Sequence, residues 1–338
     1  MSDALIGAVR KAWREAAAGA PGTRAWRAVR TTCPGPLSVL AAIRENDGAV
    51  ALLFETTIEN APSARARFEA DGISMLEERN FAERTYRIAV TLERHDLENI
   101  FGIVTADLIE AAAAYAAPEA AVTSLFTRLS AWQAFLRARR AGLGRDAIVG
   151  LVGELLVLRR AAASAGWSAA VDAWHGPTGG LHDFVRNGHA LEVKATAGVA
   201  PVLPISSLDQ LEDAGLSALL LVHVRLAESP AGPGLSALAA SIKAELKQHA
   251  PSSLPRFRDA LLAAGYTDVD AELYLTPTFQ AAGMRFYRVS PGFPRLTRAH
   301  VPQGVTEAIY RLDLRAIRAH HIDDNEAGEV MRCMGDLG

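Results

Sequence analysis

The segment with the most chemical content is Leu181-His182-Asp183-Phe184-Val185-Arg186-Asn187-Gly188-His189-Ala190-Leu191-Glu192-Val193-Lys194. Asn187-Gly188 is the preferred pair for a two-residue type I′ hairpin turn, because both positions need positive φ. With that pair as the turn, the register follows by counting outward. Arg186 faces His189, Val185 faces Ala190, Phe184 faces Leu191, and Asp183 faces Glu192. Lys194 lies two residues beyond Glu192 and so shares its face, while Phe184, Leu191 and Val193 take the other and can bury. Two carboxylates directly opposite one another repel. A positive charge between them removes that cost, and a divalent cation beside Lys194 would supply it. Hard oxygen ligands suit Mg²⁺ or Mn²⁺ and not zinc. Mg²⁺ held by a few carboxylates keeps several waters, one of which can serve as the nucleophile in phosphodiester hydrolysis. Lys194 would orient that water, help deprotonate it, or neutralise charge in the transition state.

The Asp183…Glu192-Val193-Lys194 pattern resembles the D…(E/D)-x-K signature of the PD-(D/E)XK nucleases, which include many restriction endonucleases. A narrower resemblance rests on Gly150-Leu151-Val152-Gly153-Glu154-Leu155, Trp174-His175-Gly176, His182-Asp183-Phe184, Glu192-Val193-Lys194, Ile205-Ser206-Ser207-Leu208-Asp209-Gln210-Leu211 and Gly292-Phe293-Pro294-Arg295-Leu296. Together these are similar to a PD-(D/E)XK-motif family whose members occur in bacterial restriction-modification and phage-defence gene clusters. The similarity spans roughly the whole chain, with its anchors concentrated in 150–211. It implies that Glu154, on a helix ahead of the motif strands, completes a metal site with Asp183 and Glu192. It also implies that Ser207 and Gln210 line the site or contact the substrate backbone. One departure is His182, which stands where the name-giving motif has proline.

An E-x-K tripeptide alone carries almost no information, since chance yields about one in a chain of this size. Glu245-Leu246-Lys247 is such a case, on the solvated face of an amphipathic helix. Glu192 differs by lying in a hydrophobic strand, opposite an aspartate, after a turn signal. His175, His182 and His189 lie close together but match no zinc-ligand spacing, and no cysteine assists them. They read as turn, core-edge or phosphate-contacting residues, and His320-His321 as surface. Two arginine-rich stretches could track a phosphate backbone. One holds Arg128, Arg137, Arg139, Arg140, Arg145, Arg159 and Arg160, and the other Arg285, Arg288, Arg295, Arg298, Arg311, Arg315 and Arg318.

The elements that must position these residues follow from periodicity. A helix is expected over 3–18, and a hairpin over 36–55 around Asn46-Asp47-Gly48. Strands are expected at 71–78, 85–93 and 100–104, before an alanine-rich helix at 105–116. Residues 120–140 form a helix, with Leu125, Leu129, Trp132 and Leu136 on one stripe. Gly142 and Gly144 mark the boundary between an N-terminal β-rich α+β domain, 1–140, and a nuclease-like domain, 141–338. In the second domain a helix over 146–164 places Ile148, Leu151, Leu155 and Leu158 on one stripe. A loop at 175–180, strands at 181–186 and 189–195, and a short helix at 206–214 come next. Residues 217–226 are a near-continuous apolar run, as in a strand covered on both faces. Helices at 234–249 and 253–264 and strands at 271–277, 284–289 and 306–313 complete the expectation. The fold class is α/β (α+β overall), a restriction-endonuclease-like mixed sheet flanked by helices.

The 338 residues, 50% of them hydrophobic and 22% charged, suffice for a large core and argue against wholesale disorder. A formal net charge of −3 argues against a histone-like or purely electrostatic nucleic-acid binder but does not exclude a nuclease. Cys33 and Cys333 cannot build a disulfide framework or a cysteine-rich zinc site. The first residues lack a basic segment followed by an apolar one, and no apolar run reaches membrane-spanning length. The expected setting is the cytoplasm. The expected activity is that of a Mg²⁺-dependent DNA endonuclease in bacterial defence, with Mn²⁺ able to substitute. It would work as a homodimer or with other defence proteins. The rival readings are a non-catalytic DNA-binding or assembly subunit, a nuclease for RNA or for damaged or branched DNA, and a structural protein with a chance motif.

Overall fold

The computed structural model describes residues 2–31, 35–62, 68–70, 72–139, 143–198 and 201–335. The chain divides into two compact units, Met1–Arg140 and Ala141–Gly338. Cys33 lies outside the described residues, and Cys333 is an exposed free thiol.

The N-terminal unit holds helix α1 (Ser2–Ala18) and strands β1 (Trp26–Arg30), β2 (Ser38–Arg44), β3 (Val50–Thr57), β4 (Glu69–Ala70), β5 (Ile73–Asn80) and β6 (Thr85–Leu92). Helices α2 (Glu98–Ala113) and α3 (Pro118–Arg139) follow. The strands form an antiparallel sheet in the order β1-β2-β3-β6-β5-β4. The hairpin expected at 36–55 is β2–β3, with Leu40 opposite Leu53. Residues 100–104, expected as a strand, are helical and belong to α2. The run Ile100-Phe101-Gly102-Ile103-Val104 is apolar without alternation, and such a run cannot separate strand from buried helix. Ile100, Phe101, Val104 and Leu108 are buried at helical spacing.

The C-terminal unit begins with α4 (Arg145–Ala165) and the unanticipated short helix α5 (Trp167–Ala173). Then come β7 (Phe184–Arg186), β8 (His189–Ala197), β9 (Val202–Ile205) and β10 (Ala218–Glu228). Helices α6 (Leu235–His249) and α7 (Leu254–Ala263) lead to β11 (Phe279–Val289), β12 (Tyr310–Asp313), β13 (His321–Ile322) and α8 (Asp324–Cys333). The main sheet runs β13-β11-β10-β8-β7, with β8 and β10 parallel and the other pairs antiparallel. It is the mixed sheet flanked by helices that the sequence led us to expect.

The strand β10 is buried on both faces, as its apolar run implies. Leu220, Val222, Val224 and Leu226 join a core with the α4 residues Leu151, Leu155 and Leu158. Leu219 and Leu221 face a second core with Leu203, Ile205, Tyr287 and Ile317. Part of that second face is covered by the small antiparallel pair β9–β12.

Three further expectations fail here. Residues 206–214 are turns, not a helix; the buried pair Leu208 and Leu211 mimics helical spacing, but Gln210 Oε1 accepts the Ser206 N–H (2.9 Å) and bends the chain. Residues 271–277 are not a strand; Asp268–Tyr274 winds into 3₁₀ turns opened by the Asp270 N–H to Thr267 carbonyl bond. The strand expected at 306–313 is confined to Tyr310–Asp313.

The approach of α4 to β8 depends on a missing side chain. A Cβ on Gly153 would stand 2.4 Å from the Ala195 Cβ. Gly150, one turn earlier, has nothing within 4 Å of that position. Gly153→Ala is therefore expected to destabilise the protein by about 1–3 kcal/mol through overpacking. Gly150→Ala should be neutral or stabilising, by up to about 1 kcal/mol, from helix propensity. Urea unfolding of the two variants beside the parent checks this; equal behaviour of the two would remove the packing argument.

Candidate metal centre

Asn187 and Gly188 both take positive φ, 51° and 74°, as a type I′ turn requires. The ladder pairs Arg186 with His189, Val185 with Ala190 and Phe184 with Leu191, in the expected register. There it stops. Residues 181–183 are not strand, and Asp183 is not the cross-strand partner of Glu192. The reason lies in the backbone: the Asp183 carbonyl accepts N–H bonds from His175 (2.8 Å) and Gly176 (2.9 Å), which draws this residue out of the ladder. Its carboxylate turns to the neighbouring strand, where Oδ2 accepts the Val193 N–H at 2.7 Å.

The shortness of β7 leaves the edge of β8 open beside Glu192, and Glu154 reaches the same place from α4. Trp174, fully buried, donates its indole N–H to Glu154 Oε2 at 2.8 Å. The residue that makes room is Gly176. A Cβ there would lie 2.7 Å from Asp183 Oδ1 and 2.9 Å from Glu154 Oε2, so both oxygens face one small space. Glu192 is buried, with 1% of its surface exposed. Lys194 Nζ lies 2.9 Å from Glu192 Oε1, a close ion pair in the interior. The same ammonium donates to Gln210 Oε1 at 3.0 Å. Gln210 thus holds Lys194, while no hydrogen bond joins Ser207 to the cluster among the described residues.

Burial and mutual repulsion govern the protonation of this cluster. Burial first, then Asp183, pushes Glu192 up to about 8, against the opposing pull of Lys194. Burial and then Asp183 raise Glu154 to about 8 as well, opposed by the Trp174 hydrogen bond. Asp183 is raised by burial, with the Val193 amide and Lys194 working against the rise.

Among the described residues no three His, Cys, Asp or Glu side chains already surround one point as a complete ligand set. Mg²⁺ does not need one, since it is commonly held by one or two carboxylates and keeps its remaining waters. The donor set fits such an ion. It has hard oxygens, a buried carboxylate whose single lysine partner is shared with Gln210, and a space kept open by glycine. Of the other histidines, His182 is buried with Nδ1 unpartnered and 4.0 Å from Glu192 Oε2, and burial lowers its pKa. His175 and His189 make no metal cluster with it. His320, half-buried, packs on Phe293, and the exposed His321 meets the edge of Tyr287. Glu245 pairs with Arg159 (2.9 Å) on the surface of α6, outside any site.

Trp174, Gly176 and His182 complete the surroundings of the site; the sequence offered Trp174 and Gly176 only as anchors of the resemblance, and His182 as a turn, core-edge or phosphate-contacting residue. Trp174 and Gly176 carry no chemistry of their own and matter only through what they touch.

A mixed sheet whose short strand and open edge gather two carboxylates and a lysine, joined by a helix glutamate, defines a PD-(D/E)XK-type core. The chain belongs to the family DUF4420, described as "Putative PD-(D/E)XK family member", whose model matches residues 9–315. No curated protein and no solved structure matches the chain.

Two predictions follow from the crowding of carboxylates. A carboxyl whose folded-state pKa lies above its unfolded value, about 4.3 for Glu, gives stability that is full below the unfolded pKa and lost as pH rises through the folded one. Without divalent ions the protein should lose stability relative to Glu192→Gln between about pH 5 and 8, on the order of 1 kcal/mol per pH unit. Thermal melts in EDTA across that range check it; parallel curves would show that Glu192 is not strained. Gly176→Ala should weaken Mn²⁺ binding at least about tenfold although every carboxylate remains, because the methyl group occupies the space they share. Isothermal titration with Mn²⁺ against the parent and Asp183→Ala reads this directly.

Proposed function

We propose that the C-terminal unit is a Mg²⁺-dependent DNA endonuclease of the restriction and phage-defence type. The observation that carries this reading is the enclosure of Glu154, Asp183 and Glu192 beside Lys194, on a fold whose family is nuclease-like. Three enclosed carboxylates served by one lysine form an unstable arrangement alone and a favourable one around a divalent ion.

Asp183, Glu192 and Glu154 would hold the ion, with Mn²⁺ able to replace Mg²⁺. When bound, it supplies a Lewis acid for the phosphate oxygens and lowers the pKa of water. The rest is the work of this chain. The Val193 amide holds Asp183 Oδ2 and so aims Oδ1 at the space beside Gly176, and the Trp174 indole holds Glu154 Oε2, the oxygen that faces the same space. Lys194, steadied by Gln210, brings an ammonium to the reacting phosphate, where it stabilises charge in the transition state and orients the attacking water. His182, neutral and packed against Glu192, closes the buried side of the site. Ser207, in the same loop as Gln210, would face the substrate backbone.

Cutting both strands requires two such sites, so the working form is a homodimer or a complex with other defence proteins. The N-terminal β-rich unit binds DNA or that partner. Among the described residues no helix is long and apolar enough to cross a membrane, and the proposed setting is the cytoplasm, where invading DNA is met.

The test is incubation of the purified chain with supercoiled plasmid, phage DNA and single-stranded RNA in Mg²⁺, Mn²⁺ or EDTA. DNA cleavage should need the metal and fall about 10²-fold or more in Asp183→Ala and in Lys194→Ala. Cleavage that persists in EDTA, or equally in both variants, would overturn the assignment, and a preference for RNA would redirect it to the rival nuclease reading.

A further inference from the structure

The arginine-rich stretches separate into two populations. Most of their described members are held within the fold. Arg128 is buried against Asp107 (2.8 Å), Arg145 pairs with Glu228, and Arg159 pairs with Glu245 (2.9 Å). Arg160 bonds Ser164 and the Asp324 carbonyl, Arg288 pairs with Glu326, Arg295 with Asp213, and Arg298 with Asp209. The side chains of Arg137, Arg139 and Arg140 lie outside the described residues. Arg285, Arg311, Arg315 and Arg318 behave differently. Among the described residues they make no ion pair with a carboxylate. The only acidic contact in that segment is from Asp313 to the Arg315 backbone N–H (2.8 Å).

Arg311 stands apart, while Arg285, Arg315 and Arg318 converge with Arg225 around one open cavity of about 370 Å³, whose wall also includes His223 and Gly283. Strand register explains the convergence. Lys194 of β8 pairs with His223 of β10, which pairs with Arg285 of β11; Thr196 pairs with Arg225, which pairs with Gly283. In-register neighbours point to the same face, so the cavity lies on the face that carries Glu192 and Lys194. The bond between Thr196 Oγ1 and His223 Nε2, 2.8 Å, agrees with this placement. Arg315 and Arg318 enter from the segment after β12, around the buried Ile317.

We propose that this cavity is a phosphate-binding site, distinct from the metal centre, that holds the backbone of the strand being cut at a phosphate a few nucleotides from the scissile one. The proposal rests on the nuclease reading for the identity of the strand, but the site itself stands on the arginines. Four exposed guanidinium groups without carboxylate partners form a concentration of positive charge that a chain of net charge −3 has not neutralised internally. Arginine presents paired donors that match phosphate oxygens. His223, buried among them, is pushed down to about 4 by burial and then by Arg285 and Arg225, which marks a place where an anion would be well received. Adjacent strands are about 4.8 Å apart, so Arg285 starts roughly 10 Å across the sheet from Lys194. A strand in a duplex advances about 3.4 Å per nucleotide along the axis, so a phosphate a few nucleotides from the reacting one falls within reach.

The experiment uses the full chain in the Asp183→Asn background, where the strand stays uncut, with and without Arg285→Gln/Arg318→Gln. Labelled 24-base-pair duplex DNA, the matching single strand, and inorganic pyrophosphate are the probes. Duplex or single-strand affinity should fall about tenfold or more in the double variant, and the log–log salt slope should shrink by about two, one per lost phosphate contact. Arg285→Lys/Arg318→Lys should restore the salt slope. Unchanged affinity and slope would overturn the proposal, whatever the metal centre does. If pyrophosphate alone protects the parent against heat, and not the double variant, the phosphate site stands and the strand assignment falls. If no probe binds the parent, both fall. Arginine-dependent DNA binding by a wild-type chain that never cuts would sink the nuclease reading and leave this site in place.

Discussion

The C-terminal unit is organised around one unfavourable interaction, the enclosure of Glu154, Asp183 and Glu192 within reach of one another. Ionised carboxylates lose several kcal/mol of hydration each on burial, and like charges add to that loss. The fold offsets it with a limited set of donors: the Val193 amide on Asp183, the Trp174 indole on Glu154, and the Lys194 ammonium against Glu192. That set is thin, since the one ammonium that meets Glu192 Oε1 is shared with Gln210. The neighbouring architecture serves the cluster. Strand β7 ends after three residues and exposes the edge of β8. Gly153 lets α4 settle onto Ala195, and Gly176 leaves open the space the oxygens face. A protein under selection for stability alone would replace such a group with apolar residues.

What could be read from the sequence followed from local rules. Asn187-Gly188 specified a turn, and counting outward from it placed Phe184 against Leu191 and put Glu192 and Lys194 on one face. The alternating and continuous apolar runs located β2, β3, β5, β6 and β10, and the helical stripe in α4 was buried residue by residue. The same counting went one pair too far at Asp183. The ladder there is broken by amides of His175 and Gly176, whose arrival depends on tertiary packing that turn chemistry cannot encode. Apolar runs without alternation were ambiguous by nature, so 100–104 was taken for strand and is helix. The helix α8 carried a readable signal that went unused: Asp323 with Glu326 three residues later, and Asp323 caps the Asn325 and Glu326 amides.

The supporting residues of the site were hidden for a related reason. Glu154 was reachable only through family resemblance, since one glutamate on an amphipathic helix has no mark of its own. Trp174 and Gly176 are unremarkable as types; the first acts through a single indole N–H and the second through the absence of a methyl group. Gln210 was read as lining the site or contacting the substrate backbone, and its amide oxygen accepts from Lys194. In each case the function belongs to a distance between elements far apart in the chain.

Charge placement carries the argument further than charge total. The net charge of −3 says little, because six arginines of the two rich stretches are matched to specific carboxylates. Subtracting those pairs leaves two unbalanced regions: enclosed carboxylates at the β8 edge, and guanidinium groups across β10 and β11 on the sheet face that Glu192 and Lys194 share. They do not neutralise each other through direct ion pairs. A cation suits the first and an anion the second, and a phosphodiester strand accompanied by a divalent ion presents both at once. The opposite face of the same strands is apolar and packed against helices, so it has no such role. The alternation of side chains along β8 and β10 therefore does two jobs, assigning one set of residues to the core and reserving the other for a charged ligand.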